Sequence, residues 1–209
     1  MNFDRLAPFY QALEWVFAGG KLQRCRLAFV EEIAPPHRIL LAGEGHGRFL
    51  PACARRFPEA AIVVVDSSQR MLEIARGKYA GSTVEFVHAD LLTWEPGHGR
   101  FDLIVTNFLL DCFPAAELAA LIPHLGNLAQ PEARWLVADF QIPVSRLRRL
   151  RSRVILGLLY RFFRLACGMR TKALEPYEQA LECAGFSLIE RRTSEWGLLK
   201  SECWERTPT

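Results

Sequence analysis

Three glycines alternate with other residues in Ile39-Leu40-Leu41-Ala42-Gly43-Glu44-Gly45-His46-Gly47-Arg48-Phe49. An apolar run leads into them and a helical pattern follows. Glycine has no Cβ, so such a turn bends the chain tightly and lets a ligand come within contact distance of the main chain. The spacing G-x-G-x-G departs from the dinucleotide fingerprint at the third glycine, and the Gly-Lys-Ser/Thr of a phosphate loop is absent. About 20 residues further on, Val63-Val64-Val65-Asp66-Ser67 ends in a carboxylate that can accept both hydroxyls of a ribose. Its plainer role is to cap the next helix. His88-Ala89-Asp90-Leu91 offers a second carboxylate, able to accept an adenine amino group, with a main-chain N–H beside it for a ring nitrogen. A turn residue is the bland alternative there. Phe101-Asp102-Leu103-Ile104-Val105-Thr106-Asn107-Phe108 then delivers an amide and an aromatic ring to the same region.

Positioning these groups requires a parallel sheet. Short, continuous apolar runs at 38–42, 61–65, 83–88, 101–106 and 134–139 alternate with helical patterns at 49–57, 68–78 and 115–129, the last with Pro123 as a candidate break. Strands apolar on both faces and separated by helices belong to a parallel sheet covered on both sides. In such sheets ligands bind beyond the carboxyl ends of the strands, where all four motifs fall. Two helices precede the sheet, at 6–17 and then to about 33, ended by Pro35-Pro36. After the fifth strand, 145–171 holds eight arginines among aliphatic and aromatic residues and reads as one long helix or a broken pair. A short helix at 176–184 and two strands at 186–193 and 198–205, joined near Glu195-Trp196-Gly197, close the chain as an antiparallel hairpin.

One domain over 1–209 is expected, with a helical cap at 1–34, a ligand-binding core at 37–140, a basic helical insertion at 144–172 and the helix and hairpin at 173–206. The formal charge of +3 is too small to mark a nucleic-acid binder. The six cysteines form no C-x-x-C pair and no finger-like His spacing accompanies them, so no metal site is expected. With no signal-like apolar start and no span free of charge, the expected location is the cytoplasm.

In this order, the glycine loop, strand-two acid, strand-three Asp, Phe-Asp-Leu-Ile-Val strand and terminal hairpin resemble the class I S-adenosylmethionine-dependent methyltransferases, especially the small-molecule branch that includes quinone-biosynthesis enzymes. The resemblance covers about 3–205. It implies a Rossmann-like doubly wound α/β sheet, mostly parallel with a C-terminal antiparallel hairpin, and S-adenosylmethionine as cofactor. It implies that Gly43, Gly45 and Gly47 lie against the methionine part of the cofactor, Asp66 holds ribose, and Asp90 with Leu91 holds adenine. Ser67 and Met71 would flank the adenosine, and Asn107 the methionine end. One departure stands out: where the family carries an acid two positions before the first glycine, this chain has Leu41. Glu44 either takes over the contact with the cofactor's ammonium group or serves only the start of the next helix.

For the acceptor, methyl transfer asks for alignment, exclusion of water and sometimes a base. Asp111 and Asp139 are the catalytic candidates. Asp111 can instead cap the helix after Pro114, and Asp139 can instead pair with an arginine of the insertion. His46 reads as a loop residue facing the cofactor turn. Tyr10, Phe108 and Tyr160 are the candidate substrate contacts, in an apolar, aromatic pocket closed by the N-terminal helix and the insertion. Thr106-Asn107-Phe108-Leu109 lacks the paired prolines of nucleic-acid amino-methyltransferases, which argues against such acceptors. The expected function is methyl transfer to a small apolar or aromatic molecule. Two alternatives remain: another reaction of the same cofactor, or a non-enzymatic binding module that uses the basic helix. That helix suits a solvated face, an acidic substrate or a peripheral membrane contact.

Overall fold

Runs of Ile, Leu and Val build the central strands β1 (Arg38–Ala42), β2 (Ala61–Asp66), β3 (Val84–His88), β4 (Phe101–Asn107) and β5 (Ala129–Phe140). The computed structural model describes residue 4 and residues 20–79, 83–171 and 173–207. The helix expected over 6–17, with Tyr10, lies outside the described residues. In β1, side chains alternate between two cores: Leu40 and Ala42 face one, Ile39 and Leu41 the other, and all four are essentially fully buried. Burial on both faces explains why the strand is continuously apolar.

The sheet has seven strands in the order β3-β2-β1-β4-β5-β7-β6. The first five are parallel, and the hairpin of β6 (Phe186–Ser194) and β7 (Leu199–Arg206) adds to β5 antiparallel. Strand order reverses between β1 and β4. The loops after these two strands therefore diverge and leave a crevice at their carboxyl ends. Among the described residues, the helices are α1 (Lys21–Arg26), α2 (Leu50–Arg56), α3 (Gln69–Lys78), α4 (Ala115–Asn127), α5 (Arg146–Cys167) and α6 (Glu178–Cys183).

Several boundaries differ from expectation. The second helix does not reach residue 33: it stops at Arg26, and a 3-10 turn at Val30–Glu32 follows. Helix α4 runs unbroken through Pro123. A mid-helix proline costs about 3 kcal/mol, but Leu118, Leu121, Ile122 and Leu125 are at most 2% exposed. Their burial, at about 1.5–3 kcal/mol each, outweighs that cost. Strand β5 begins at Ala129 rather than 134 because Pro131 and Glu132 (φ 63°) disguise a bulge, where the register against β4 shifts between Phe101 and Leu103. The insertion is a single 22-residue helix, ended by Gly168 in the left-handed conformation.

The hairpin is locked from beneath. Glu202, fully buried on β7, accepts from Arg191 Nε at 2.6 Å, Tyr177 Oη at 2.9 Å and Trp204 Nε1 at 3.2 Å. A buried carboxylate with three donors is satisfied, and removing one donor would expose the chain to its desolvation cost.

Candidate functional site

The glycine turn leaves β1 with Gly43 N–H donating to Val65 O at 2.8 Å, and all three glycines have positive φ. Two of them differ in what surrounds them. A Cβ on Gly47 would lie 2.9 Å from the Cα and Cβ of Ala75, so this glycine lets α3 pack against the turn. Among the described residues, a Cβ on Gly45 would meet nothing within 4 Å. Gly45 thus faces open space at the middle of the turn, and its N–H donates to Asp66 Oδ2 at 2.8 Å.

Glu44 serves the next helix. Its Oε1 accepts from the N–H groups of Phe49 at 2.7 Å and Leu50 at 3.0 Å, satisfying two orphan donors at the start of α2. Burial pushes its carboxyl up to about 7, opposed by those bonds and by Arg26. His46 lies in the turn but is only 3% exposed, and burial beside Lys78, Arg26 and Arg48 drives its pKa down to about 3, so it is neutral. Its main-chain oxygen accepts from Lys78 Nζ at 2.7 Å.

Asp66, buried at the end of β2, ties the turn to the next helix. Oδ2 takes Gly45 N–H, and Oδ1 takes Ser68 N–H at 2.8 Å. Each oxygen keeps a further lone-pair direction, the capacity that two ribose hydroxyls need. Burial raises its pKa against these bonds. The capping of α3 falls instead to Ser68, whose Oγ accepts from Met71 N–H at 3.2 Å and donates to Asp4 Oδ1 at 2.5 Å. Ser67 is exposed, and its carbonyl lies 3.1 Å from His88 Nε2; Met71 is buried. Asp90 is exposed beyond β3, with Oδ1 accepting from Leu92 N–H at 3.0 Å, while the Leu91 side chain belongs to the core.

The second wall of the crevice comes from β4 and β5. Thr106 pairs with Ala42, so Asn107 emerges beside Gly43. The Asn107 side chain is buried, and among the described residues its Nδ2 has no hydrogen-bond partner. An unmade bond on a buried amide costs about 1–3 kcal/mol, a cost that a ligand acceptor would remove. Phe108 takes a left-handed φ of 53°, which turns its ring to 5.2 Å from that of Phe140 and under the Arg26 guanidinium at 5.0 Å.

Asp111 and Asp139 come together. Asp111 does not cap α4, whose N-cap Pro114 has no side-chain bond, and Asp139 does not pair with an arginine of α5. Instead Asp139 Oδ2 accepts from Asp111 N–H at 3.2 Å, and Oδ1 accepts from Phe140 N–H at 2.7 Å. Burial raises both carboxyls; repulsion from Asp111 raises Asp139 further, and Lys200 only partly offsets it. Tyr160, from α5, places its hydroxyl 3.5 Å from Asp111 Oδ2.

Two residues that the sequence did not single out also lie at the crevice, Arg26 over the Phe108 ring and Lys200 beside Asp139. Arg26 looks like any surface arginine of a short basic helix, and Lys200 becomes a neighbour of Asp139 only through the antiparallel register of β5 with β7. Among the described residues, no group of three His, Cys, Asp or Glu side chains is arranged to hold a metal ion.

The profile of the methyltransferase domain family matches residues 39–132. An uncharacterized methyltransferase of Mycobacterium bovis is 28% identical over 142 residues, covering 68% of this chain and 66% of the relative. A demethylmenaquinone methyltransferase of Clavibacter sepedonicus is 30% identical over 144 residues, covering 68% of this chain and 57% of the relative. The chain thus spans about two thirds or less of the length of these curated relatives. Among solved structures, the 1,6-didemethyltoxoflavin-N1-methyltransferase of Burkholderia thailandensis, crystallised with S-adenosylhomocysteine, superposes with a TM-score of 0.68 at 16% identity, over 98% of this chain and 86% of that one. The strand order, the glycine turn and these matches place the chain among the class I S-adenosylmethionine-dependent methyltransferases.

Proposed function

We propose that this chain transfers the methyl group of S-adenosylmethionine to a small apolar or aromatic acceptor. The observation that carries the reading is the crevice between β1 and β4. There, an open glycine turn backed by Asp66 lies beside the unpartnered Nδ2 of buried Asn107. These groups fit the cofactor: Asp66 would accept its ribose hydroxyls, Gly45 would admit it against the main chain, and Asn107 Nδ2 would donate to its methionine end.

When bound, the cofactor supplies a methyl carbon already activated by the sulfonium, so the protein's task is alignment and proton management. Phe108 and Phe140 offer an apolar wall that orients a flat acceptor and keeps water out. Asp111 is the base, taking a proton onto a carboxylate oxygen as the acceptor atom is methylated. Burial pushes its carboxyl up to about 6, close to the working range that a general base needs. Asp139 positions Asp111 through the bond to its main-chain N–H and retains its own proton.

Calorimetric titration with S-adenosylmethionine and S-adenosylhomocysteine tests the cofactor half. Asp66→Ala should weaken both ligands by about 10–100-fold, the worth of charge-assisted hydrogen bonds. A folded wild-type protein that binds neither ligand refutes the reading. A screen of phenolic, quinol and amine acceptors, read by mass for the added methyl group, tests the rest.

A further inference from the structure

Helix α5 presents two apolar faces, and only one is used. At 3.6 residues per turn, Leu147, Val154, Leu158 and Leu165 fall within about 20° of one line along the helix, with Leu150 beside them. Their exposures are 84%, 55%, 66%, 84% and 64%. The opposite side carries Ser152, Leu156, Tyr160 and Cys167, all buried. A solvated helix should be polar on its outer side; here the outer side is a leucine stripe about 27 Å long, taking 1.5 Å per residue.

The charge around the stripe has one sign. Arg146–Cys167 holds seven arginines and no acidic residue. Arg146, Arg153 and Arg164 fall on one flank, Arg148 and Arg151 on the other, and exposed Arg161 lies between the leucine line and Leu150. Among the described residues, none of the seven forms an ion pair with a carboxylate. Arg149 spends its guanidinium on the carbonyls of Pro143 and Val144, and Arg151 bonds Glu195 O at 3.3 Å. Through that last bond the hairpin turn sits at the amino end of the helix, where Trp196 is 68% exposed. Glu195 and Trp196 both hold positive φ, 53° and 63°, a conformation that costs about 1 kcal/mol or more per residue. The turn therefore holds a tryptophan outward at an energetic cost, and an indole at a water–lipid boundary is amphipathic in the way that boundary requires.

We infer that the outer face of α5, together with Trp196, is a docking surface for an anionic lipid bilayer. The helix would lie along the surface with leucines inserted and flanking arginines at the headgroups. A second copy of this chain is a poorer occupant, because stripe-to-stripe packing would bring two arginine-rich flanks together. No helix among the described residues is long and apolar enough to cross a membrane, so the contact runs along the surface. The inner face of the same helix carries Tyr160 to Asp111, so the site lies about one helix diameter, roughly 10 Å, from this surface. On the proposed methyltransferase reading, the acceptor is then a lipid-dissolved molecule drawn from the bilayer.

Sedimentation with vesicles tests docking without cofactor or acceptor, so its failure is separate from failure of the methyl-transfer reading, which is tested by calorimetry without lipid. The protein should sediment with vesicles of phosphatidylcholine and phosphatidylglycerol, stay in solution with phosphatidylcholine alone, and be released by high salt. Val154→Glu and Leu158→Glu should each weaken binding at least about tenfold. Each of Arg146→Gln, Arg153→Gln and Arg164→Gln should weaken it about fivefold. Lipid brominated in its acyl chains should quench the wild type more than Trp196→Phe; equal quenching would overturn the assigned orientation. No binding to anionic vesicles at low salt would overturn the proposal. So would a dimer in sedimentation velocity that Leu158→Glu dissolves, since a second copy would then own the face.

Discussion

The two walls of the crevice are built in different ways. On the β1–β2 side, the working groups are main-chain N–H groups and one carboxylate, set by a turn of five residues and a strand end some twenty positions later: Gly43 to Gly47, and Asp66. On the β4–β5 side they are side chains drawn from distant segments. Asp111, Asp139 and Tyr160 meet only because β4 pairs with β5 and α5 folds back over both. The first wall can be exact with little help from the rest of the fold. The second depends on every element that packs against it; on the proposed function this gives it room to vary with the acceptor while the first stays fixed by the cofactor.

The sharpest way to break this contrast is Asp111→Asn. On the proposed reading the variant keeps the shape and removes the base, so turnover should fall by about 10²–10⁴, the usual worth of a general base. Affinity for S-adenosylhomocysteine should change less than about twofold, because Asp111 belongs to the other wall. Single-turnover kinetics beside calorimetry measures both. Equal losses in binding and turnover would mean that the two walls form one unit.

Within the first wall, two glycines with the same backbone conformation should respond differently. Gly47→Ala drives a Cβ to 2.9 Å from the backbone of α3, so overpacking adds to left-handed strain and stability should drop about 2–3 kcal/mol. Gly45→Ala meets no protein atom within 4 Å, so only the strain of about 1 kcal/mol should appear in denaturant unfolding. Its affinity for the cofactor should fall more than that figure predicts, because the added methyl group occupies space left for the ligand. If Gly45→Ala binds as well as wild type, the cofactor does not approach the turn at that residue.

The same contrast explains what was readable from the sequence. Alternating glycines, a β-branched run ending in Asp66 and the hairpin punctuation are local signals, and the sheet they implied is the one observed, down to the antiparallel edge. Asp111, past the end of the fourth strand, and Asp139, at the end of the fifth, could be nominated but not joined, because their contact runs through the N–H of one residue and the side chain of another 28 positions away. Glu44 carried two competing roles because a carboxylate between glycines can face either a ligand or a helix start. Geometry gives its Oε1 to Phe49 and Leu50. His46 lies in the turn, as read, but its burial was not legible from the sequence, because it depends on elements packed around the turn. Pro123, a candidate break, is overridden by the burial of its helix, whereas exposed Pro131 belongs to a bulge that hides the start of β5.

The smallest effect, and a fine test of the second wall, concerns Tyr160. Its hydroxyl stabilises the ionised form of Asp111, while burial, the dominant influence, favours the protonated form. If Asp111 is the base, kcat/KM rises as pH increases through about 6 and levels once the carboxylate is formed. Tyr160→Phe deletes a donor to the charged form, so Asp111 should hold its proton to higher pH and the rising limb should move upward. The hydrogen bond is long, 3.5 Å, and therefore weak. A full pKa unit would need about 1.4 kcal/mol, so the displacement should stay under about one unit. The same sign applies to stability. A carboxyl whose pKa is higher in the folded state stabilises fully below the unfolded value, and that contribution is lost as pH rises through the folded one. Thermal unfolding against pH should show the loss extending to slightly higher pH in Tyr160→Phe than in wild type. A limb that does not move, or moves downward, would detach Tyr160 from the proton chemistry and leave α5 only as packing over the site.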